Sequence, residues 1–287
     1  MPALRAPSVT AIVIALSAIA AGSMSRCGRD ASPPASTSLG STPANAPPNP
    51  GAVANSAQPT TQDASADARA PIDSGPDVAP APAGPVNVVV LGDSLTDGRV
   101  GGGGYWKYLK KRCPKSQFHD FGKGADMVNQ MRKRFFRDVM NDDGRAFGGQ
   151  HYTHVVVFGG VNDLYSDLTA GRTVKLISDD LSRIYGAAHR HGARVVAITV
   201  APWGGFTKYF NERRGEATLR LNGWISEQAS AGKIDAVVDA YALLSCGRTT
   251  HLCADYGHPI RDGLHFGAGG HEVLGKALYD AEFSGCR

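Results

Sequence analysis

Apolar runs and helical stripes alternate along the chain from residue 86 to the end. Val86–Leu91 is a continuous apolar run bounded by Gly84-Pro85 and Gly92, the pattern of a strand buried on both faces. Thr153–Phe158, closed by Gly159-Gly160, and Arg194–Val200, closed by Pro202, read the same way. Gln117–Phe121 and Ile234–Val238 are shorter strand candidates. Between them lie stretches with apolar residues at helical spacing. Gly104–Cys113 is stopped by Pro114, and Asp126–Met140 places Met127, Met131 and Phe135 on one side. Thr173–His191 carries Leu176, Ile177, Leu181, Ile184 and Tyr185 along a stripe, and Asn211–Ala229 and Ala268–Ala281 follow. Strands alternating with helices predict βαβ units, hence a five-stranded parallel sheet in a three-layer α/β/α sandwich. In such sheets ligands bind at the carboxyl ends of the strands. The residues after Leu91, Phe121, Phe158, Val200 and Val238 are therefore where chemistry is sought.

Composition changes the picture upstream. Residues 28–85 hold 12 of the 17 prolines, and every aromatic residue lies at Tyr105 or later. A segment rich in Pro, Ala, Ser and Thr, with no aromatics, cannot bury enough apolar surface to offset its ordering entropy. It is expected to be a disordered, extended linker. The folded domain is expected over 86–287, which excludes a two-domain enzyme with a separate cofactor domain. Residues 1–27 contain Arg5, an apolar run from Val9 to Gly22, and Ala18, Ala20 and Ala21 near its end, which read as a secretory signal peptide. The 20 uncharged residues from Ala6 to Ser25 would also serve as an uncleaved anchor, and Cys27 leaves lipid modification open, although Arg26 before it departs from the usual small residue. Either way the protein is expected to be exported: periplasmic, secreted or tethered to the outer face of a membrane.

The cysteines agree with export. The domain holds Cys113, Cys246, Cys253 and Cys286, an even number that suggests two disulfides in an exported chain. Cys246 with Cys253 closes a short loop, and Cys113 would then meet Cys286; free buried thiols are the alternative. The spacing is not that of a zinc site. Net charge is only +4. The densest basic run, Lys107, Lys110, Lys111, Arg112 and Lys115, reads as solvated helix surface or as a patch for an anionic polymer. Nothing resembles a nucleic-acid module.

Three blocks carry candidate chemistry. Gly92-Asp93-Ser94-Leu95 follows the first strand, Gly160-Val161-Asn162-Asp163 follows Phe158, and Asp262-Gly263-Leu264-His265 lies before the last helix. A serine hydroxyl is a weak nucleophile until a base takes its proton. Histidine suits that role near neutral pH, and a carboxylate on its other nitrogen fixes the tautomer. An amide such as that of Asn162 can donate to a developing oxyanion. Each residue alone is more often structural, and their conjunction in this order reverses that reading. The Gly-x-Ser-x-Gly elbow of the α/β-hydrolases is absent around Ser94.

With these blocks the sequence resembles the SGNH hydrolases, also called the GDSL esterase/lipase family. The resemblance spans nearly all of 86–285 and implies that family's flavodoxin-like fold. It implies Ser94 as nucleophile, His265 as base and Asp262 as its partner, with no metal or organic cofactor. It also implies an oxyanion hole from the backbone amide of Ser94, the side-chain amide of Asn162 and a backbone amide after the second strand. That segment, Asp120-Phe121-Gly122-Lys123-Gly124-Ala125-Asp126, lacks the family's asparagine. Gly124 is the assigned donor and Ala125 the alternative if the register slips by one. Lys123 is a candidate contact for an anionic substrate. Trp203 and Phe206, with Tyr209 and Phe210, follow the fourth strand and are either packing or a substrate platform.

The expected function is an exported serine esterase acting through an acyl-enzyme, with small O-acyl groups on carbohydrate as the favoured substrate. Lipid or lysophospholipid hydrolysis, acyl transfer to a sugar and a non-catalytic glycan-binding domain are the alternatives. A monomer is expected, touching a membrane only through an N-terminal anchor. His271-Glu272 begins like a zinc-protease motif, but Gly275 stands where its second histidine belongs. Gly101–Gly104 reads as a flexible rim of the site.

Overall fold

The computed structural model describes residues 83–99, 104–141, 150–247 and 250–286. The expected leader, most of the linker and Gly101–Gly103 lie outside the described residues. Five strands form one parallel sheet in the order β2-β1-β3-β4-β5. They are β1 (Asn87–Gly92), β2 (Gln117–Gly122), β3 (His154–Phe158), β4 (Arg194–Ile198) and β5 (Ala236–Val238). The predicted α/β/α sandwich is present.

The central strands carry the apolar runs because both of their faces are covered. Val88, Val89, Val90 and Leu91 are fully buried, as are Val155, Val156, Val195, Val196 and Ala197. One face holds α1 (Trp106–Arg112) packed against α8 (Ala268–Leu278). The other holds α2 (Val128–Arg134), α5 (Val174–Arg190) and α6 (Glu212–Ser230). Thr173 and Asn211 cap α5 and α6 by accepting the amides of Leu176 and Arg214. Short helices α3 (Val161–Tyr165), α4 (Asp167–Ala170) and α7 (Ala240–Leu244) complete the elements.

Two boundaries differ from the pattern. The helix expected over 126–140 begins at Val128 and widens into a π turn over Phe135–Val139; the last helix does the same over Tyr279–Phe283. Apolar spacing does not distinguish a π turn from an α turn. The fifth strand covers only Ala236–Val238; just before it the Asp235 amide donates to the Val195 carbonyl, while its carboxylate accepts from Val195 N–H and pairs with His189.

Both expected disulfides are formed. Cys113–Cys286 joins the end of α1 to the chain's last turn, and Cys246–Cys253 closes the short loop after α7. Among the described residues no helix is long and apolar enough to cross a membrane.

Candidate active site

Ser94 stands two residues beyond β1 in a tight turn. Thr96 and Asp97 amides donate to the Asp93 carbonyl, and the Leu95 amide donates to the Asp93 carboxylate. Those bonds leave the Ser94 amide outside the turn's own hydrogen bonding. Gly92 is required here because a Cβ would fall 2.0 Å from Thr96 Oγ1 and 2.6 Å from the Phe158 carbonyl.

The loop before α8 delivers the other two members. His265 Nε2 lies 2.8 Å from Ser94 Oγ, and His265 Nδ1 lies 2.6 Å from Asp262 Oδ2. Asp262 Oδ1 accepts the backbone amides of Leu264 and His265. Burial alone would raise the Asp262 carboxyl, but these bonds and the His265 side chain outweigh it and hold the acid below the ordinary range. An ionised Asp262 makes Nδ1 the protonated nitrogen, so Nε2 keeps the lone pair that accepts the Ser94 proton. Ser94 and His265 are both half-buried.

Asn162 is in the first turn of α3, after Gly160 adopts φ 119°. Its Nδ2 donates to the Asp126 carbonyl at 2.9 Å and to Asp93 Oδ2 at 3.3 Å. The second bond is the longer of the two. Asp93 is fully buried, and burial, with Asp163 and Asp126 adding to it, pushes its carboxyl up to about 7 against the opposing Leu95 amide. Asp163 accepts from Val128 N–H and from Arg172, which also pairs with Asp180. Arg134 ties the ends of β1 and β2 together by donating to the Gly92 and Phe121 carbonyls and pairing with Asp126.

The segment after β2 offers Gly124 and Ala125 as backbone donors. Ala125 has φ 64°, the left-handed region that favours glycine. Gly124 lies close to Ser94, since a Cβ there would be 3.9 Å from the Ser94 Cβ. Lys123 is 63 % exposed, with Nζ 3.9 Å from Asp126 Oδ1.

Trp203 requires a correction. It is fully buried, its indole N–H donates to Thr218 Oγ1, and Phe210 packs edge-on against it. A side chain with no exposed surface cannot stack on a substrate, so Trp203 belongs to the core beneath α6. Phe206 is half-buried and forms a cluster with Tyr165 and Tyr209, with ring centroids 5.0 to 6.1 Å apart. Tyr165 was not singled out from sequence. Its signal is its position three residues beyond Asn162 in the same short helix; burial, with the Asp93 and Tyr209 charges adding to it, raises its phenol. Gly205, the neighbour of Phe206, abuts Gly263 between Asp262 and Leu264. Among the described residues no three His, Cys, Asp or Glu side chains converge as metal ligands.

A profile of the GDSL-like Lipase/Acylhydrolase family matches residues 90–273, well over half of the chain. No curated protein sequence matches. Solved structures share the fold. A GDSL-like lipase from Bacteroides thetaiotaomicron is 20% identical, with a TM-score of 0.51 over 68% of this chain and 86% of its own. The lipase/acylhydrolase from Enterococcus faecalis is 22% identical, with a TM-score of 0.52 over 68% and 94%. An acetyl xylan esterase is 18% identical, with a TM-score of 0.53 over 68% and 98%. The carboxyl-edge serine with its histidine and aspartate and the match over 90–273 lead to one assignment: the chain belongs to the GDSL-like lipase/acylhydrolase family and is an ester-bond hydrolase.

Proposed function

We propose that this protein is an exported serine esterase that removes small acyl groups from carbohydrate. The observation that carries the reading is the relay itself, Ser94 Oγ to His265 Nε2 at 2.8 Å and His265 Nδ1 to Asp262 at 2.6 Å. Ser94 Oγ attacks the ester carbonyl carbon while its proton passes to His265 Nε2. The tetrahedral intermediate collapses, the bond to the alcohol oxygen breaks, and His265 returns the proton to that oxygen. Water then repeats the sequence on the acyl-enzyme, releasing the acid and free Ser94. The Ser94 amide and the Asn162 side chain serve as oxyanion donors, and the third is the Gly124 amide, since a Cβ at Gly124 would lie 3.9 Å from the Ser94 Cβ, with Ala125 the alternative.

Phe206, Tyr165 and Tyr209 form the substrate wall, a surface suited to the apolar face of a sugar ring, and Lys123 would face an acidic group. The fold shared with an acetyl xylan esterase supports a small acyl group on a glycan. The two disulfides suit an oxidising compartment, which supports export through residues 1–27. The aromatic wall also suits an acyl chain, and lipid ester hydrolysis is the second reading.

Full-length protein and Ser94→Ala are assayed on p-nitrophenyl acetate, butyrate, octanoate and palmitate, followed by acetylated glycans. Acetate preference, loss in Ser94→Ala and acetate release from a glycan are expected. A best rate on octanoate or palmitate would replace the carbohydrate reading with the lipid one.

A further inference from the structure

Asn162 sits on a helix too short to place it unaided. α3 is only five residues long, and its N-cap Gly160 has no side chain to bond the first amides. A helix of this length takes its position from contacts with its surroundings. Asp163, the residue after Asn162, makes two of them. Its carboxylate is fully buried; Oδ2 accepts the Val128 amide at 2.8 Å, and Oδ1 accepts Arg172 Nε at 2.7 Å.

Arg172 lies outside all three catalytic blocks, between α4 and α5. It is only 9 % exposed, and its guanidinium divides between two carboxylates. Nε serves Asp163, and Nη2 donates to Asp180 Oδ2 on α5 at 2.7 Å. Asp180 Oδ1 in turn accepts Arg132 Nε from α2 at 2.7 Å. One planar group thus ties the neighbour of Asn162 to α5 and, through Asp180, to α2. A lysine ammonium is a point charge and cannot reproduce that fork. Burial raises the Asp163 carboxyl against the Val128 amide and Arg172. Without the guanidinium the buried carboxylate loses its ion-pair partner, a state that costs enough to move the chain around it.

We propose that Arg172 is a positioning residue for ester hydrolysis, holding Asn162 in register as an oxyanion donor through Asp163. The inference rests on the reading of Asn162 as such a donor. A donor displaced by about 1 Å from the developing charge loses much of its effect on rate. Because that charge is absent from the bound ester, the loss falls on kcat and leaves KM nearly unchanged.

The full-length protein is assayed on p-nitrophenyl acetate as wild type, Arg172→Lys, Arg172→Met, Asn162→Ala and the double variant of Arg172→Lys with Asn162→Ala. Arg172→Lys should lower kcat about tenfold and Arg172→Met about a hundredfold, with KM changed little. Arg172→Lys keeps the charge and most of the volume, so it carries the test if Arg172→Met does not fold. In the Asn162→Ala background the lysine substitution should cost less than about threefold, since an absent donor cannot be misplaced. Glu282→Gln is the control. Glu282 is 3 % exposed and pairs with Arg194 and His154, the first residues of β4 and β3, at the edge of the sheet away from Ser94. This variant should lower Tm and keep kcat. A kcat of Arg172→Lys within about threefold of wild type would overturn the proposal. So would an equal fold loss with and without Asn162, or a matching fall in kcat in Glu282→Gln, since both mark general loosening. Full activity of Asn162→Ala would instead overturn the oxyanion reading of Asn162, and this inference with it.

Discussion

His265 and Asp262 meet twice: Nδ1 donates to Oδ2 at 2.6 Å, and the His265 backbone amide donates to Oδ1 at 2.8 Å. One carboxylate thus sets the ring's tautomer and the shape of the loop that holds it. Asp262→Asn keeps an acceptor for the backbone amides but presents either a neutral oxygen or an N–H to Nδ1. The expected result is a fall in kcat of roughly a thousand- to ten-thousandfold on p-nitrophenyl acetate, with KM changed little. A kcat within tenfold of wild type would remove Asp262 from the relay.

Gly263 has φ 79°, and a Cβ there would fall 2.0 Å from the Gly205 backbone. Gly263→Ala should push the Asp262–His265 loop away from Ser94 and cost more than a hundredfold in kcat. Gly247→Ala is the control: φ is 75°, with nothing within 4 Å of an added Cβ. Equal activities of the two variants, at matched circular dichroism, would mean that the contact does not position the loop.

At Ala125 the strain runs the other way. A left-handed conformation costs an L-residue about 1–2 kcal/mol, and glycine returns about 0.5–1 kcal/mol of that as lost unfolded-chain entropy. Ala125→Gly should therefore stabilise the fold by roughly 0.5–1 kcal/mol. Activity should be retained, because a donor at 124 or at 125 is a backbone amide. Urea unfolding measures the first and p-nitrophenyl acetate turnover the second; a destabilised variant would contradict the strain argument.

Asp93 links stability to pH. Its folded pKa is raised to about 7 from an ordinary value of 3.8, so the folded state binds the extra proton between those limits. The stabilisation associated with that proton is fully present below about pH 4 and is lost as pH rises through about 7. Asp93→Asn removes this dependence. The stability difference, variant minus wild type, should rise from pH 5 to pH 8; a flat difference would place the Asp93 carboxyl in the ordinary range.

The disulfides should separate stability from activity. In the chain-entropy account, Cys113–Cys286, 173 residues apart, restricts the unfolded chain by about 5 kcal/mol, and Cys246–Cys253, 7 apart, by about 2.5 kcal/mol. Cys113→Ser with Cys286→Ser should lower Tm more than Cys246→Ser with Cys253→Ser. The second pair should lower activity further, because the Cys253 and Thr250 backbones anchor the loop leading to Asp262 through Leu244 and Gly204. Tm and kcat of both double variants test this.

Apolar runs were sufficient to locate the sheet, because strands covered on both faces leave little room for polar residues. The three blocks carried Ser94, Asn162, Asp262 and His265 to one edge because parallel strands end together there. Trp203 was not decidable from its neighbours. An aromatic residue after a strand lies under the next helix or on the rim according to a turn of the loop, and here Trp203 went inward while Phe206 stayed half-open. Tyr165 was hidden because a five-residue helix has too few positions to show periodicity.

The Gly84 amide donates to the Gly285 carbonyl at 3.0 Å, and Cys286 is bonded to Cys113. The segment leading into β1 and the last turn thus lie side by side, at the edge of the sheet opposite Ser94. This makes the domain a natural candidate for circular permutation. A short peptide could join its two ends without crossing the catalytic edge, and new termini could be opened in a surface loop.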